Sequence, residues 1–319
     1  MTPAGGNDVR NIELGPGKEF DIVRTIVDEW GKSAQHIGDD AAIVTVPEGE
    51  KLVVTTDTSN EGVHFRHEWL NHFEIGYRAT AAALSDLAAM GARPLGIVIA
   101  LTLPQADRDS ARALATGIRQ GASAVLCPIV GGDLSSGKTL SLTITALGGV
   151  KRPLSRAGAK PGQRVYVTGH LGGPAAAVRA WHAGKEPTDR DRARFAHPVP
   201  RIEPAIGLAE RGASSAIDIS DGLVADLAHV AAASKVRIEI DVDRIPRVEG
   251  VSPIEAANSG EEYEVAVTAL EIDTEQFAAE FGLALTEIGR VVAGTPGVDL
   301  MEGGKKIVAP PGFDHFRTK

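Results

Sequence analysis

The chain has 319 residues, 43% of them hydrophobic, and its 33 Lys and Arg residues against 42 Asp and Glu residues give a net charge of -9 at pH 7. This acidic balance excludes a generally basic surface for nucleic acid or anionic lipid, while the hydrophobic fraction suffices for a sizeable core. The single Cys127 excludes an internal disulfide, and the longest apolar stretch, residues 95–103, is about half a bilayer span. We therefore expect a cytoplasmic protein that binds neither nucleic acid nor membrane.

Hydrophobic periodicity and turn residues predict alternating helices and strands in the first half of the chain. The helix of residues 73–90 is the strongest of these elements, because Gly91 ends it and Pro94 follows. Helices are predicted at residues 19–29, 73–90 and 106–121, and strands at 41–46, 52–56, 96–103, 125–130 and 139–148.

A loop rich in Lys, Arg, Pro and Gly at residues 150–162 predicts a domain boundary. We therefore expect an N-terminal domain of residues 1–150 and a C-terminal domain of residues 151–319. In the second domain, strands are predicted at 164–168, 216–219, 236–242, 263–267 and 289–293, helices at 174–182 and 223–233, and a polar, Pro-rich link at 186–204. Strands in runs with helices between some of them predict α+β or mixed α/β halves.

Acidic side chains recur at the ends of predicted strands and on one otherwise apolar helix stripe. Burying an unpaired carboxylate is costly, so each of these needs a partner, although any single one is also explained as a helix cap or turn residue. Lys and Arg are scarce around them, and Mg²⁺ prefers carboxylate oxygen. The set as a whole therefore predicts a site in which several Mg²⁺ ions bind a polyphosphate. The acidic residues of this set are Asp40, Asp57, Asp86, Asp133, Asp218 and Asp221.

Two other motifs match known patterns only superficially. Residues 132–139 satisfy the Walker A pattern, but a phosphate-binding loop of that kind opens a helix. The residues after Lys138 alternate with a period of two, which predicts a strand, so we interpret residues 135–138 as a hairpin turn. His67 and Glu68 begin a metalloprotease-like pattern, but His72 comes one residue too late to complete it.

Segments spread over residues 37–316 together resemble the thiamine-monophosphate kinases, within the superfamily of aminoimidazole ribonucleotide synthetase. The matching segments are IGDDAAIV (37–44), TTDTSNEGVHF (55–65), LSDLAAMGARP (84–94), GGDLSSG (131–137), SRAGAKPGQRVYVTG (155–169), IDISDGL (217–223), SGEEYEV (259–265) and GFDHF (312–316). Two segments depart from the usual family pattern. Ser259-Gly260-Glu261-Glu262-Tyr263 stands where Gly-Gly-Glu-Asp-Tyr is typical, and Pro310 replaces a common aromatic residue.

The resemblance implies a two-domain α/β (α+β) fold and Mg²⁺-dependent, direct in-line transfer of a phosphoryl group from ATP to thiamine monophosphate. It also implies a homodimer in which N-terminal sheets pack together, with the strand of residues 140–146 as a contributor. The N-terminal domain would bind ATP and Mg²⁺, and the C-terminal domain, with a mixed sheet and helices, would complete the nucleotide and substrate site.

The resemblance further assigns site residues by position. Metal ligands would be Asp40, Thr55, Thr56, Asp57, Asp86, Asp133, Asp218 and Asp221, of which Asp57, Asp86, Asp133 and Asp221 are the expected catalytic residues. ATP contacts would come from Gly132, Asp133, Arg156 and Ser220. Substrate contacts would come from His64, Glu261 and Phe313.

Two alternatives stay open at this point. One is another ATP-using enzyme of the superfamily, such as a ligase acting on an amide-containing ribonucleotide; selenophosphate synthesis is disfavoured because no reactive Cys lies near the N-terminus. The other is an acidic Mg²⁺-binding or nucleotide-binding regulatory protein without enzymatic activity.

Overall fold

The structure, a computed structural model, describes residues 16–35 and 37–308. The chain divides into two units, which we call the N-terminal unit (Met1–Ala83 and Pro94–Gly149) and the C-terminal unit (Leu84–Arg93 and Val150–Lys319). Among the described residues, every helix is too short or too polar to cross a bilayer.

The N-terminal unit contains a sheet in which the strand order is β1-β4-β2-β3. Strand β3 runs parallel to β2. The side-chain pairs Thr58–Thr143 and Thr56–Thr145 progress in opposite directions, so β1 and β4 are antiparallel. The elements are α1 (Lys18–Trp30), β1 (Lys51–Asn60), α2 (His72–Ala89), β2 (Arg93–Leu103), α3 (Arg108–Ser123), β3 (Ile129–Ser136) and β4 (Ser141–Val150); the last residues of α2, from Leu84, group with the C-terminal unit.

The C-terminal unit contains a mixed sheet of strand order β11-β10-β7-β9-β5-β8-β6. Strand β10 runs parallel to β7, and the other neighbouring strands are antiparallel. The elements are β5 (Arg164–Thr168), α4 (Gly173–His182), α5 (Asp189–Ala196), α6 (Ile202–Glu210), β6 (Ser215–Asp218), α7 (Leu223–Ser234), β7 (Arg237–Asp241), α8 (Pro253–Ala257), β8 (Val265–Ala269), α9 (Thr274–Phe281), β9 (Leu285–Val292), β10 (Gly297–Glu302) and β11 (Lys305–Ile307).

The core of the C-terminal unit lies between this sheet and α7. Leu227 and Val230 of α7 are buried in one cluster with Val167, Ile217 and Ile238 of the strands. This packing holds the C-terminal end of β6 and the N-terminal end of α7 in place, because both elements contribute to the same core. The short segment between them carries several of the acidic residues that the sequence singled out.

Three predictions about the N-terminal unit are wrong. Residues 41–46 form no strand, and Ile43 in this segment is 85% exposed. The apolar residues 125–127 form a turn after α3, in which Leu126 has a φ of 55° and Cys127 is buried, so β3 begins later than predicted. Strands β3 and β4 form no hairpin, since β2 lies between them in the sheet.

The predicted role of β4 in a dimer interface also requires correction. Its apolar side chains are buried within the single chain, so this face is not free to contact another copy. These side chains are Leu140, Leu142, Ile144 and Ala146.

In the C-terminal unit, the predicted Pro-rich link contains helix α5, whose N-cap Thr188 accepts a hydrogen bond from the backbone N–H of Asp191. Helices α8 and α9 and strands β10 and β11 were not predicted from the sequence.

Candidate functional site

The predicted metal-binding segment of residues 55–57 lies inside β1 rather than at its end. Successive side chains of a strand point to opposite faces, so Thr55 and Asp57 share one face and Thr56 lies on the other. Thr55 and Asp57 are half-buried, whereas the Thr56 hydroxyl lies 3.2 Å from the hydroxyl of Thr145 on β4. The fold therefore brings Thr55 and Asp57 together and turns the side chain of Thr56 away from them.

Gly132 and Asp133 lie within β3, beside β2. A Cβ atom on Gly132 would be 2.5 Å from the backbone oxygen of Ile99, so only glycine permits this close approach of the two strands. Asp133 is exposed. Lys138 lies in an exposed turn followed by β4, not by a helix, which confirms that the Walker A interpretation does not apply.

His64 lies in the turn that follows β1 and is half-buried. Its Nδ1 atom accepts a hydrogen bond of 3.1 Å from the backbone N–H of Asn60. A neutral imidazole with Nδ1 as acceptor carries its proton on Nε2, so Nε2–H is the donor of this ring. His64 can therefore donate a hydrogen bond to an anionic oxygen without becoming charged.

The other two histidines of this region contact each other. The rings of His67 and His72 lie 5.1 Å apart, and Nε2 of His67 is 3.5 Å from Oε1 of Glu61. Burial lowers the pKa of His72, and the charge of His67 lowers it further. His72 begins α2 and His67 precedes it, so the two do not share a helical face, as expected from the sequence.

Asp40, a predicted metal ligand, lies in an exposed loop, where its backbone N–H donates a hydrogen bond to the Asp39 carboxylate.

In the C-terminal unit, Asp218 ends β6 and is only 5% exposed. Ser85 donates a hydrogen bond of 2.8 Å to its carboxylate. Burial raises the pKa of Asp218 to about 7, and the charge of Asp86 adds to this effect, while the Ser85 hydrogen bond and the charge of Arg156 oppose it. The structure therefore brings Asp86, Asp218 and Arg156 into one electrostatic environment, with Asp86 half-buried and Arg156 exposed.

Asp226, in the first turn of α7, organises the loop after β6, and the sequence analysis missed it. Its Oδ2 atom accepts hydrogen bonds from the backbone N–H groups of Ser220, Asp221 and Gly222 at 3.0, 3.1 and 3.1 Å. Burial raises the pKa of Asp226 to about 8, and the charges of Asp218 and Asp221 contribute. The sequence signal that could have found Asp226 is its position four residues after Gly222, which ends the acidic segment of residues 218–222.

This acidic environment fits a hard divalent cation in its chemistry. Burial raises the pKa of the Asp218 and Asp226 carboxyl groups, the charge of Arg156 only partly offsets this for Asp218, and Mg²⁺ prefers carboxylate oxygen ligands. Within residues 16–35 and 37–308, no group of three or more His, Cys, Asp or Glu side chains is arranged to hold a metal ion.

Glu261, a predicted substrate contact, lies in a loop that is bonded to the segment after β6. The backbone N–H of Glu261 donates to the Ser220 oxygen at 2.7 Å, and the N–H groups of Glu262 and Tyr263 donate to the oxygen of Ile219. The Tyr263 hydroxyl donates to the Glu261 carboxylate. The C-terminal unit therefore brings Glu261 and Ser220 together. Phe313 and Pro310 lie outside the described residues.

Glu262 and Glu264 form a buried ion network that the sequence analysis also missed. Two guanidinium groups bind Glu264, from Arg194 at 3.1 Å and from Arg201 at 2.6 Å, and Arg194 also binds Glu262 at 3.1 Å. Burial raises the pKa of Glu262 to about 7 against the charge of Arg194, whereas Arg201 and Arg194 hold the pKa of the buried Glu264 below its usual value. Glu262 therefore faces the protein interior.

Comparison with known proteins identifies the family. Residues 38–150 match the family model for the N-terminal domain of AIR synthase related proteins, and residues 160–300 match the model for the C-terminal domain. A thiamine-monophosphate kinase of Salmonella typhimurium (strain LT2) is 34% identical over 301 residues, covering 88% of this chain and 92% of the relative. The chain belongs to the thiamine-monophosphate kinase family. This membership confirms the predicted resemblance and the architecture of two AIR-synthase-type domains.

Solved structures of the same family agree with this assignment. Thiamine-monophosphate kinase from Stenotrophomonas maltophilia K279a superposes with a TM-score of 0.80 at 36% identity, covering 92% of this chain and 98% of that one. A structure of AaThiL complexed with AMPPCP and TMP superposes with a TM-score of 0.75 at 31% identity, covering 93% of this chain and 96% of that one.

Proposed function

We propose that the chain transfers the γ-phosphoryl group of ATP to thiamine monophosphate, giving thiamine diphosphate and ADP. The observation that carries this proposal is the likeness to AaThiL, whose structure holds AMPPCP and TMP together. AMPPCP is an ATP analogue with a methylene group between its outer phosphorus atoms. It therefore stands in for the phosphoryl donor, beside a monophosphate that stands as the acceptor.

The chemistry of the acceptor suits a site built from carboxylate side chains and divalent metal ions. A phosphate monoester has a second pKa of about 6, so its attacking oxygen is already anionic at neutral pH and needs no strong general base. The difficulty lies in bringing two polyanions together for in-line transfer. Several Mg²⁺ ions would neutralise this charge when bound, held by Asp57, Asp86, Asp133 and Asp221 with Asp40, Thr55 and Asp218. Thr56, which the sequence predicted as a further ligand, is left out because its side chain lies on the opposite face of β1, next to Thr145. We propose direct transfer, without a phosphoenzyme, because an anionic acceptor oxygen can attack the γ-phosphorus atom itself.

The remaining site residues take positioning and binding roles in this proposal. His64 donates its Nε2–H to the substrate phosphate, which the hydrogen bond from Asn60 to Nδ1 supports. Gly132, Asp133, Arg156 and Ser220 contact ATP, and Glu261 and Phe313 contact thiamine monophosphate. In domain terms, residues 1–150 supply ATP and Mg²⁺ ligands and the dimer interface. Residues 151–319 supply the remaining nucleotide and substrate contacts.

We further propose a cytoplasmic homodimer in which the N-terminal sheets pack together. The outer strand β1 supports this proposal, because it exposes large apolar side chains, with Leu52 at 49% and Val54 at 56% exposure. The two side chains share one face of the strand, and adjacent exposed apolar side chains suit a contact with another chain. The supply of ATP and the reduced, buried Cys127 favour the cytoplasm.

An acceptor comparison tests the proposed reaction. ADP release from ATP and Mg²⁺ would be measured with thiamine monophosphate, with thiamine and with an aminoimidazole-type ribonucleotide. We expect release with thiamine monophosphate alone. Release only with the ribonucleotide would indicate a superfamily ligase, and nucleotide binding without turnover would indicate a regulatory protein.

A variant of Asp57 tests the metal-binding role in the same assay. Asp57→Asn should abolish most turnover, because an amide cannot neutralise a cation. The matched control is Asp109→Asn, which changes an exposed carboxylate that pairs with Arg112 at 3.6 Å. Near-normal turnover of Asp57→Asn at limiting Mg²⁺ would contradict the ligand role.

A further inference from the structure

The loop that carries Glu261 contains two residues in an unusual backbone conformation. Glu261 has a φ of 63° and Tyr263 a φ of 53°, in the left-handed region that favours glycine. Such residues persist only where the surrounding structure holds them, and they cluster at functional sites. The position of the Glu261 carboxylate therefore depends on whatever fixes this loop.

The residues on either side of Tyr263 are fixed by one guanidinium group. Arg194 of α5 donates from its Nη2 atom to Glu262 and from its Nη1 atom to Glu264, each at 3.1 Å. The same Nη2 atom donates to the backbone oxygen of His170 at 2.6 Å. Arg194 thus joins the residues on both sides of Tyr263 to the loop that follows β5.

The surroundings leave little freedom for this arrangement to relax. Glu262 also accepts a hydrogen bond from the backbone N–H of Gly172. A Cβ atom on Gly173 would lie 2.8 Å from the Arg194 side chain, so the start of α4 packs closely against the guanidinium stem. The Arg side chain is therefore fixed by contacts on both sides.

The two carboxylates depend on Arg194 to different degrees. Glu264 receives a second fork from Arg201, with bonds of 2.9 and 2.6 Å, and a hydrogen bond of 2.7 Å from Thr168. Among the described residues, the cation paired with Glu262 is Arg194. Loss of Arg194 would therefore leave Glu262 with only the hydrogen bonds from Gly172 and Ser259 and no cation, whereas Glu264 would stay bound to Arg201.

We propose that Arg194 is a positioning residue that acts through Glu262 to hold the Glu261 loop in its substrate-binding conformation. This inference rests on the proposed function, since Glu261 serves there as a contact for thiamine monophosphate. It assigns a role to Glu262, where the family pattern typically has Asp. The longer side chain of Glu262 reaches both the Gly172 amide and the Arg194 fork.

Arg194→Met tests the proposal, with Arg237→Met as the matched control. Arg237 forks onto Asp299 at 2.7 and 2.8 Å in the same unit, and its side chain is 28% exposed against 25% for Arg194. We expect Arg194→Met to raise the KM for thiamine monophosphate about tenfold, with the KM for ATP changed less than about twofold. Arg237→Met should lower the melting temperature and leave both KM values unchanged.

Arg194→Lys covers the case in which Arg194→Met fails to fold, because it keeps the charge and removes only the fork. It should shift the same KM by a smaller factor. The proposal also predicts non-additivity: in the Arg194→Met background, Glu262→Gln should cause no further rise in KM. Equal rises in both KM values, additive effects of the two substitutions, or an unchanged KM for thiamine monophosphate would each overturn it.

Amide hydrogen exchange separates this proposal from the proposed function. In the full chain, Arg194→Met should speed exchange at Glu261 and Glu262, and Arg237→Met should not. If the wild-type chain fails to phosphorylate thiamine monophosphate yet shows this pattern, the proposed function fails and the loop anchoring stands. Unchanged exchange in Arg194→Met overturns the anchoring itself.

Discussion

The hydroxyl of Ser85 lies 2.8 Å from the carboxylate of Asp218 and donates a hydrogen bond to it. This contact joins the end of α2 to the end of β6 within the C-terminal unit. Burial is the main cause of the raised pKa of Asp218. The charge of Asp86, the next residue of α2, raises this pKa further. A buried acid at this position thus reduces the stability of the metal-free protein, and a cation would remove that effect.

Asp218→Asn should stabilise the metal-free protein at high pH. The folded-state pKa of Asp218, about 7, lies above the unfolded value of about 3.9, so folding takes up a proton between these pH values. The contribution of Asp218 to stability therefore falls as the pH rises from about 4 to about 7. We expect the EDTA-treated variant to melt at a higher temperature than wild type at pH 8 and to lose this advantage at pH 4.

Asp299→Asn is the control of opposite sign. Hydrogen bonds from Arg237 and Lys306 lower the pKa of Asp299 to about 2, so its contribution is present at neutral pH and lost as the pH falls through that value. This variant should melt below wild type at pH 8. If both variants shift the melting temperature in the same direction, the environment described for Asp218 is wrong.

Asp226→Ala should reduce turnover because residues 220–222 lose the carboxyl group that positions them, and not because a metal ligand is removed. The Oδ2 atom of Asp226 accepts hydrogen bonds from the backbone N–H groups of residues 220–222, and its removal would leave these three donors without their acceptor. We expect kcat to fall about tenfold or more, which steady-state kinetics would measure. Asp273→Ala is the control, because it removes the α9 cap on the Gln276 amide and should cost about 1 kcal/mol of stability without affecting kcat.

His64→Ala should raise the KM for thiamine monophosphate more than the KM for ATP. The proposed contact is a hydrogen bond from Nε2–H to the phosphate of the substrate, and substrate titrations at fixed ATP would detect its loss. His67→Ala, which removes the histidine beside Glu61, should leave both KM values near those of wild type. A larger rise in the KM for ATP would assign His64 to the nucleotide.

Lys138→Ala and Asp133→Ala distinguish a metal-binding strand from a phosphate-binding loop. Lys138 is exposed in the turn before β4, and loss of such a residue usually changes stability by less than about 0.5 kcal/mol. Asp133→Ala should be severe, because the proposed metal site loses a ligand. Parallel kinetic measurements that show an inactive Lys138→Ala beside an active Asp133→Ala would reverse the assignment.

Leu52→Glu should weaken the proposed dimer. The substitution places a charge on the exposed apolar face of β1, where an interface would have to bury it. Light scattering at micromolar concentration should show a dimer for wild type and a monomer for the variant. Leu270→Glu, at a side chain 74% exposed in the C-terminal unit, is the control and should remain dimeric. A monomeric wild type would contradict the dimer.

Local patterns predicted the regular elements well where one physical signal dominated. Strand β5 has the predicted bounds, and α2 differs by one residue at each end, because an apolar stripe and a terminal Gly define it. Helix α5 was hidden because its alternating Arg and Asp residues provide no apolar stripe. The order of β3 and β4 was mispredicted because periodicity describes each strand separately and contains no information about its neighbours.

The candidate site shows the same division. Asp86 and Asp218 were recognisable because acids in apolar surroundings violate a local expectation. The pairing of Arg194 with Glu262 was not, because the two residues are 68 positions apart and the departure of Glu262 from the family pattern does not indicate its partner. A tertiary ion pair of this kind leaves no trace in spacing or composition.

The buried thiol of Cys127 is a natural probe of local unfolding in the N-terminal unit. It is the one cysteine of the sequence, it lies in the N-terminal unit, and burial raises the pKa of its thiol to about 12. Alkylation requires a thiolate that is accessible to the reagent, so the native thiol is protected twice. The rate of labelling by iodoacetamide therefore reports the opening of the N-terminal unit alone, and ligands that close this unit will slow it without any engineered label.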